Sequence, residues 1–85
     1  MKELKIKTTV ENEIDIKDID LIKHLVVWKS YGRNYVLIKE NDVFEFKDIA
    51  ETGGAIGSHD SINDIMNTPE VQKALKNGEI KIYEI

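Results

Sequence analysis

Eighty-five residues with a formal charge of −4 and no Cys describe a single domain over residues 1–85, with neither a disulfide framework nor a thiolate metal site. A chain of this size hides only about 60% of its unfolded surface, so its net stability is expected at about 4 to 13 kcal/mol. The acidic balance argues against direct nucleic-acid binding, and the lack of a long apolar run argues against a membrane span.

Even positions from Leu4 to Ile16 are mostly apolar or strand-forming, and the odd ones are mostly charged. That alternation predicts a strand with one wet face. Its length favours a hairpin with a three-residue loop at Glu11-Asn12-Glu13, pairing Val10 with Ile14 and Thr8 with Ile16. The Met1-Lys2-Glu3 start runs straight into this pattern rather than into a signal peptide, so the expected location is the cytoplasm. Residues 18–23 read either as a helical turn capped by Asp18 or as an irregular connection.

Residues 24–48 predict a three-strand meander holding the single Trp and both Phe. Gly32-Arg33 suits the first two-residue loop, with Gly in the first central position, and Asn41-Asp42 suits the second. That register sets Trp28 opposite Leu37, Leu37 opposite Phe46 and Lys39 opposite Phe44. One face then carries Val26, Trp28, Tyr35, Leu37, Phe44 and Phe46, and the other Leu25, Val27, Val36, Ile38 and Val43, rimmed by Lys29, Glu45 and Lys47.

Residues 51–57 contain three glycines and read as a loop. Ser58 or Ser61 can cap a short helix with Ile62, Ile65 and Met66 on its apolar side. Thr68-Pro69-Glu70 starts a second, striped by Val71, Ala74 and Leu75 and stopped at Asn77-Gly78. Ile80, Ile82 and Tyr83 complete a last strand. The expected fold class is α+β: an antiparallel sheet made of the N-terminal hairpin, the meander and the C-terminal strand, with two short helices packed on the aromatic face.

Little in the chain has the spacing of a reactive site. Ser58, His59, Asp60 and Ser61 are consecutive, so their side chains diverge and cannot form a proton relay. His24 falls at the head of a strand and reads as an edge residue bonded to a carbonyl. No metal site, cofactor or enzymatic activity is expected. Gly53, Gly54, Gly57 and Ser58, ahead of a helix, could let a backbone approach a phosphate or nucleotide, although no Lys follows as in a Walker loop. Glu11, Glu13, Asp15, Asp18 and Asp20 form an acidic run. On a strand, alternate carboxylates stand about 6.5 to 7 Å apart, a stripe that could imitate DNA and inhibit a nucleic-acid enzyme. Tyr31 beside Arg33 gives the first turn an aromatic and cationic tip of the kind used in recognition.

The leading expectation is a small protein-binding module. Two helices can cover only one face of the meander, which leaves Val27, Val36, Ile38 and Val43 to meet a partner protein or a second copy in a homodimer, with Tyr31 and Arg33 at the rim. Alternatively, the N-terminal hairpin folds across that face as a second layer. Of the 12 basic residues only Arg33 is an arginine, and Ile is abundant. Such a bias fits an AT-rich bacterial or phage genome and an accessory protein of a mobile element.

Overall fold

Alternating strands, tight turns and two short helices assemble into an α+β fold in the computed structural model, which describes residues 2–6, 13–50 and 54–85. In chain order come β1 (Lys2–Ile6), β2 (Glu13–Ile14), a 3-10 turn (Ile16–Asp18), β3 (His24–Ser30), β4 (Arg33–Glu40) and β5 (Val43–Asp48). After them come β6 (Ala55–His59), α1 (Ile62–Met66), α2 (Pro69–Lys76) and β7 (Ile80–Glu84). The strands form one sheet in the order β2-β1-β7-β3-β4-β5-β6, antiparallel throughout except between β1 and β2.

The second meander turn is as expected. Asn41 and Asp42 both take positive φ (53° and 63°), closing Glu40↔Val43 and setting Leu37 opposite Phe46 and Lys39 opposite Phe44. The first turn lies one residue earlier than expected. Its loop is Tyr31-Gly32 (φ 53° and 73°), so Ser30 pairs with Arg33 and Trp28 with Tyr35 rather than with Leu37. Positive φ at both central residues marks a type I′ turn, which matches strand twist and here seats the glycine second. Sliding a two-residue loop by one position shifts the pairing by two. Side chains alternate with period two, so every face assignment survives.

Tyr31 therefore holds a left-handed backbone that costs a non-glycine residue about 1 to 2 kcal/mol. Its side chain is 95% exposed, so packing offsets little of that cost. Tyr31→Asn creates the favoured Asn-Gly turn and is expected to stabilise the domain by about 0.5 to 1 kcal/mol, raising Tm by roughly 2 to 8 °C. A thermal melt in which the variant unfolds earlier than the parent would mean the ring is held by contacts in solution.

The core lies between the sheet and the helices. Val26, Trp28, Tyr35, Leu37 and Phe46 are buried from the meander, Ile80 and Ile82 from β7, and Ile65, Met66, Val71 and Ala74 from the helices. Ile62, Leu75 and Phe44 pack against this cluster while half-buried. The Trp28 and Phe46 rings meet edge to face at 5.2 Å, the arrangement their quadrupoles prefer. The Ser61 hydroxyl accepts a bond from the Asp64 N–H at 3.0 Å and caps α1. Thr68 precedes Pro69 as expected, but its hydroxyl donates back to the Ile65 carbonyl at 2.9 Å and ties α2 to α1. Gly78, at φ 75°, ends α2 in a conformation that only glycine adopts readily.

Three expectations are corrected. Among the described residues the N-terminal strands form no antiparallel hairpin: β2 runs parallel to β1, with Lys5↔Glu13 and Ile6↔Ile14, and Ile16 already begins the 3-10 turn. Alternation specifies which side chains share a face and carries no information on strand direction. The expected partners Thr8 and Val10 lie outside the described residues.

Residues 55–59 are a strand and not a loop. β6 pairs Lys47 with Ala55, Phe46 with Ile56 and Phe44 with His59, so β6 holds one extra residue in a bulge. Gly57 supplies the positive φ (75°) that the bulge requires.

The acidic stripe is also broken. Glu11 lies outside the described residues, Glu13 is in the two-residue β2, Asp15 precedes the 3-10 turn and Asp18 ends it. The carboxylate of Asp20 accepts the Ile22 N–H at 2.9 Å. The even spacing that a strand would impose on these acids is lost.

Candidate functional site

Both helices sit over the aromatic face: α1 contacts the 3-10 turn, β5 and β6, and α2 contacts β7. The opposite, outer face keeps Leu25, Val27, Val36, Ile38 and Val43 half-buried. Antiparallel register lines its side chains up in rows across the strands. One row reads Lys81, Val27, Val36, Lys47. The next is in two halves, Tyr83 with Leu25 and Ile38 with Glu45, which no ladder pairing joins, and Glu3 lies beside Tyr83.

The ladders run slightly past the strand ends. The Ile49 N–H donates to the Asn34 carbonyl at 2.9 Å, and the Ile85 N–H to the Lys23 carbonyl at 2.8 Å. Strand alternation therefore sets Ile49 and Ile85 on the outer face as well. They are 59% and 71% exposed, two of the four large hydrophobic side chains that the described residues leave in water. The apolar band thus runs from Ile49 through the valines to Leu25, Tyr83 and Ile85.

A cleft interrupts this face. β3 and β4 pair only from Val27↔Val36 to Ser30↔Arg33. Bonds from Lys29 N–H to the Glu79 carbonyl and from Ile49 N–H to the Asn34 carbonyl show that odd peptide groups of β3 face β7 and even ones of β4 face β5. The groups of His24 and Val26 therefore look across at those of Leu37 and Lys39. Beyond the last pair, the Asp20 carbonyl takes the N–H of His24 at 2.7 Å, so that donor is not offered to β4. The opening left between the strands has a volume of about 950 Å³. It is lined largely by apolar side chains, Leu21, Ile22, Leu25, Val36, Ile38 and Ile85 among them, with Lys17, Asp18, Asp20 and Lys39 as its charged residues.

The remaining sequence candidates are scattered. Tyr31 stands fully in water at the hairpin tip. Arg33 does not join it as a cationic tip, because its guanidinium is held by Asp48 at 2.9 Å on the core side of the sheet. Gly54 precedes β6, Gly57 and Ser58 lie within it, and Gly53 is outside the described residues. The helix that follows has five residues, and its first turn is capped by Ser61. His59 pairs with Phe44 at the sheet edge, and Ser61 is engaged as the cap. His24 Nδ1 accepts the Asp20 N–H at 2.9 Å, where a bond to a carbonyl was expected.

Sequence reading missed Ile49, Ile85 and Tyr83 as members of the outer face. Ile49 and Ile85 flank the apolar runs, and only the ladder bonds to Asn34 and Lys23 reveal their side. No helix among the described residues is long and apolar enough to cross a membrane. No protein-family profile matches the chain, and comparison with curated proteins and with solved structures found no match.

Proposed function

We propose that this domain is a non-catalytic protein-binding module of the cytoplasm, engaging a second copy or another protein across the outer face of its sheet. One observation carries the reading: both helices lie on one side, and the other keeps the apolar side chains Leu25, Val27, Val36, Ile38 and Val43, with Ile49 and Ile85 each more than half exposed at its ends. Apolar bands of this kind, rimmed by charge, are the usual profile of an interface. The cleft between β3 and β4 adds a hollow of the sort that an anchoring side chain fills. The groups with catalytic chemistry have structural duties instead, Ser61 as a helix cap and His24 as an acceptor for Asp20.

Val36→Lys and Ile38→Lys test the reading together. Both residues are half-buried on the outer face, from which a lysine stem can lie along the sheet and carry its ammonium into water. Each variant is expected to stay folded, losing less than about 1 kcal/mol, while self-association or partner capture is lost. Circular dichroism and sedimentation velocity read the two outcomes. Unfolding of both variants would make the face internal core and end the proposal.

A further inference from the structure

The two central rows of the outer face differ in charge. Lys81 and Lys47 bound the first, while Glu45 ends the second and Glu3 stands beside its Tyr83. Between these ends lie Val27 and Val36, paired in one row, and Leu25 and Ile38, on either side of the cleft in the other. A face patterned in this way is complementary to itself. We infer that the partner on the outer face is a second copy of this chain, related by a two-fold axis that lies in the plane of the face, across the strands and between the two rows.

Such an axis exchanges the rows. Val27 of one copy meets Leu25 of the other, and Val36 meets Ile38. Lys47 meets Glu45, and by symmetry Glu45 meets Lys47, as an isologous contact requires. Stacked sheets pack about 10 Å apart with strands nearly aligned, a distance that two layers of aliphatic side chains fill. The domain measures 36 × 28 × 26 Å, so its broad face is large enough for the roughly 800 Å² per partner of a stable interface. Lys47 also leans on Glu40 at 3.4 Å within its own chain, with both side chains about half exposed. Exposed pairs of that kind contribute little, so the ammonium can turn to Glu45 of the second copy.

This inference rests on the outer face being the working surface, and its test separates the two. Glu45→Lys and Lys47→Glu, made singly, each create two like-charge contacts across the axis. Each should weaken self-association in sedimentation equilibrium by about ten-fold or more at low salt. The double variant, Glu45→Lys with Lys47→Glu, exchanges the charges and should return to within about three-fold of the parent. Circular dichroism confirms folding of all three, whose changes lie at water-accessible positions. A parent that stays monomeric at 100 µM overturns the second copy as occupant; if Val36→Lys and Ile38→Lys are then folded, the face remains open to another protein. A parent dimer that the double variant fails to restore overturns the row-exchanging axis. A monomeric parent whose Val36→Lys and Ile38→Lys variants unfold overturns this inference and the binding module together.

Discussion

Phe46→Ala is expected to destabilise the domain by about 3 to 5 kcal/mol, against a total of about 4 to 13 for a chain of this length. Phe46 has no exposed surface and pairs with Leu37 across β4 and with Ile56 across β6. Its ring meets Trp28 at 5.2 Å. The backbone on either side is held by ladder bonds, so the site cannot close around an alanine, and the loss should fall toward the upper end of that range. Its neighbours also line a hollow of about 220 Å³ beside β6, with Gly57, His59 and Val71 in its walls. Truncation would enlarge that hollow. A denaturant melt should show a lower midpoint with an unchanged slope. Ile22→Ala serves as the contrast, since Ile22 is 86% exposed and should cost less than about 0.5 kcal/mol. A Phe46→Ala variant melting within two degrees of the parent would put Phe46 outside the core, and the assignment of both sheet faces would fall with it.

That face assignment was readable from sequence because strand alternation is insensitive to modest errors of register. The first turn lies at Tyr31-Gly32 rather than Gly32-Arg33, yet Val26, Trp28, Tyr35, Leu37 and Phe46 all point to the core as expected. The same insensitivity hid what alternation does not encode. Ile14 was expected opposite Val10 in an antiparallel hairpin; it pairs instead with Ile6, in parallel, and nothing local in the period distinguishes the two directions. β6 was concealed by composition. Three glycines in five residues read as a loop until a bulge accounts for the positive φ of Gly57. The insertion of β7 between β1 and β3 is a non-local pairing, and no nearby residue signals it. The helices were legible because caps and stops are local chemistry: Ser61, Pro69 and Gly78 all act within one turn of their position.

The candidate site was half legible for the same reason. Val27, Val36, Ile38 and Val43 follow from alternation alone. The cleft lies where the ladder between β3 and β4 ends, beside the His24 N–H that the Asp20 carbonyl has taken, and no sequence pattern specifies that bond. Arg33 was misjudged because its role turns on one residue of register. As a loop residue it would point to water, but as the first residue of β4 it faces the core side, where Asp48 waits.

Arg33→Ala is therefore expected to act on stability rather than on partner binding. The Asp48 side chain is 1% exposed, and its carboxylate meets the Arg33 guanidinium at 2.9 Å while also accepting the Ala50 N–H at 2.9 Å. Removing one partner of a buried pair typically costs about 3 to 5 kcal/mol, because the other charge stays desolvated without compensation. The Arg33 side chain is 47% exposed, so water screens part of the attraction, and a cost of about 2 to 3 kcal/mol is expected instead. Asp48→Asn removes the buried charge and can still accept from Ala50, and should cost only about 1 kcal/mol. Combining the two should be milder than Arg33→Ala alone, since the buried charge that the guanidinium balanced is then gone. This non-additivity distinguishes a buried pair from a surface one. Arg33→Lys should rescue only part of the loss, because an ammonium lacks the planar fork that meets a carboxylate in two places. Equilibrium denaturation of the four variants measures all of these terms. An Arg33→Ala variant within about 0.5 kcal/mol of the parent would show that water reaches Asp48 when the guanidinium leaves. The register of the first hairpin would then owe its position to the type I′ turn alone.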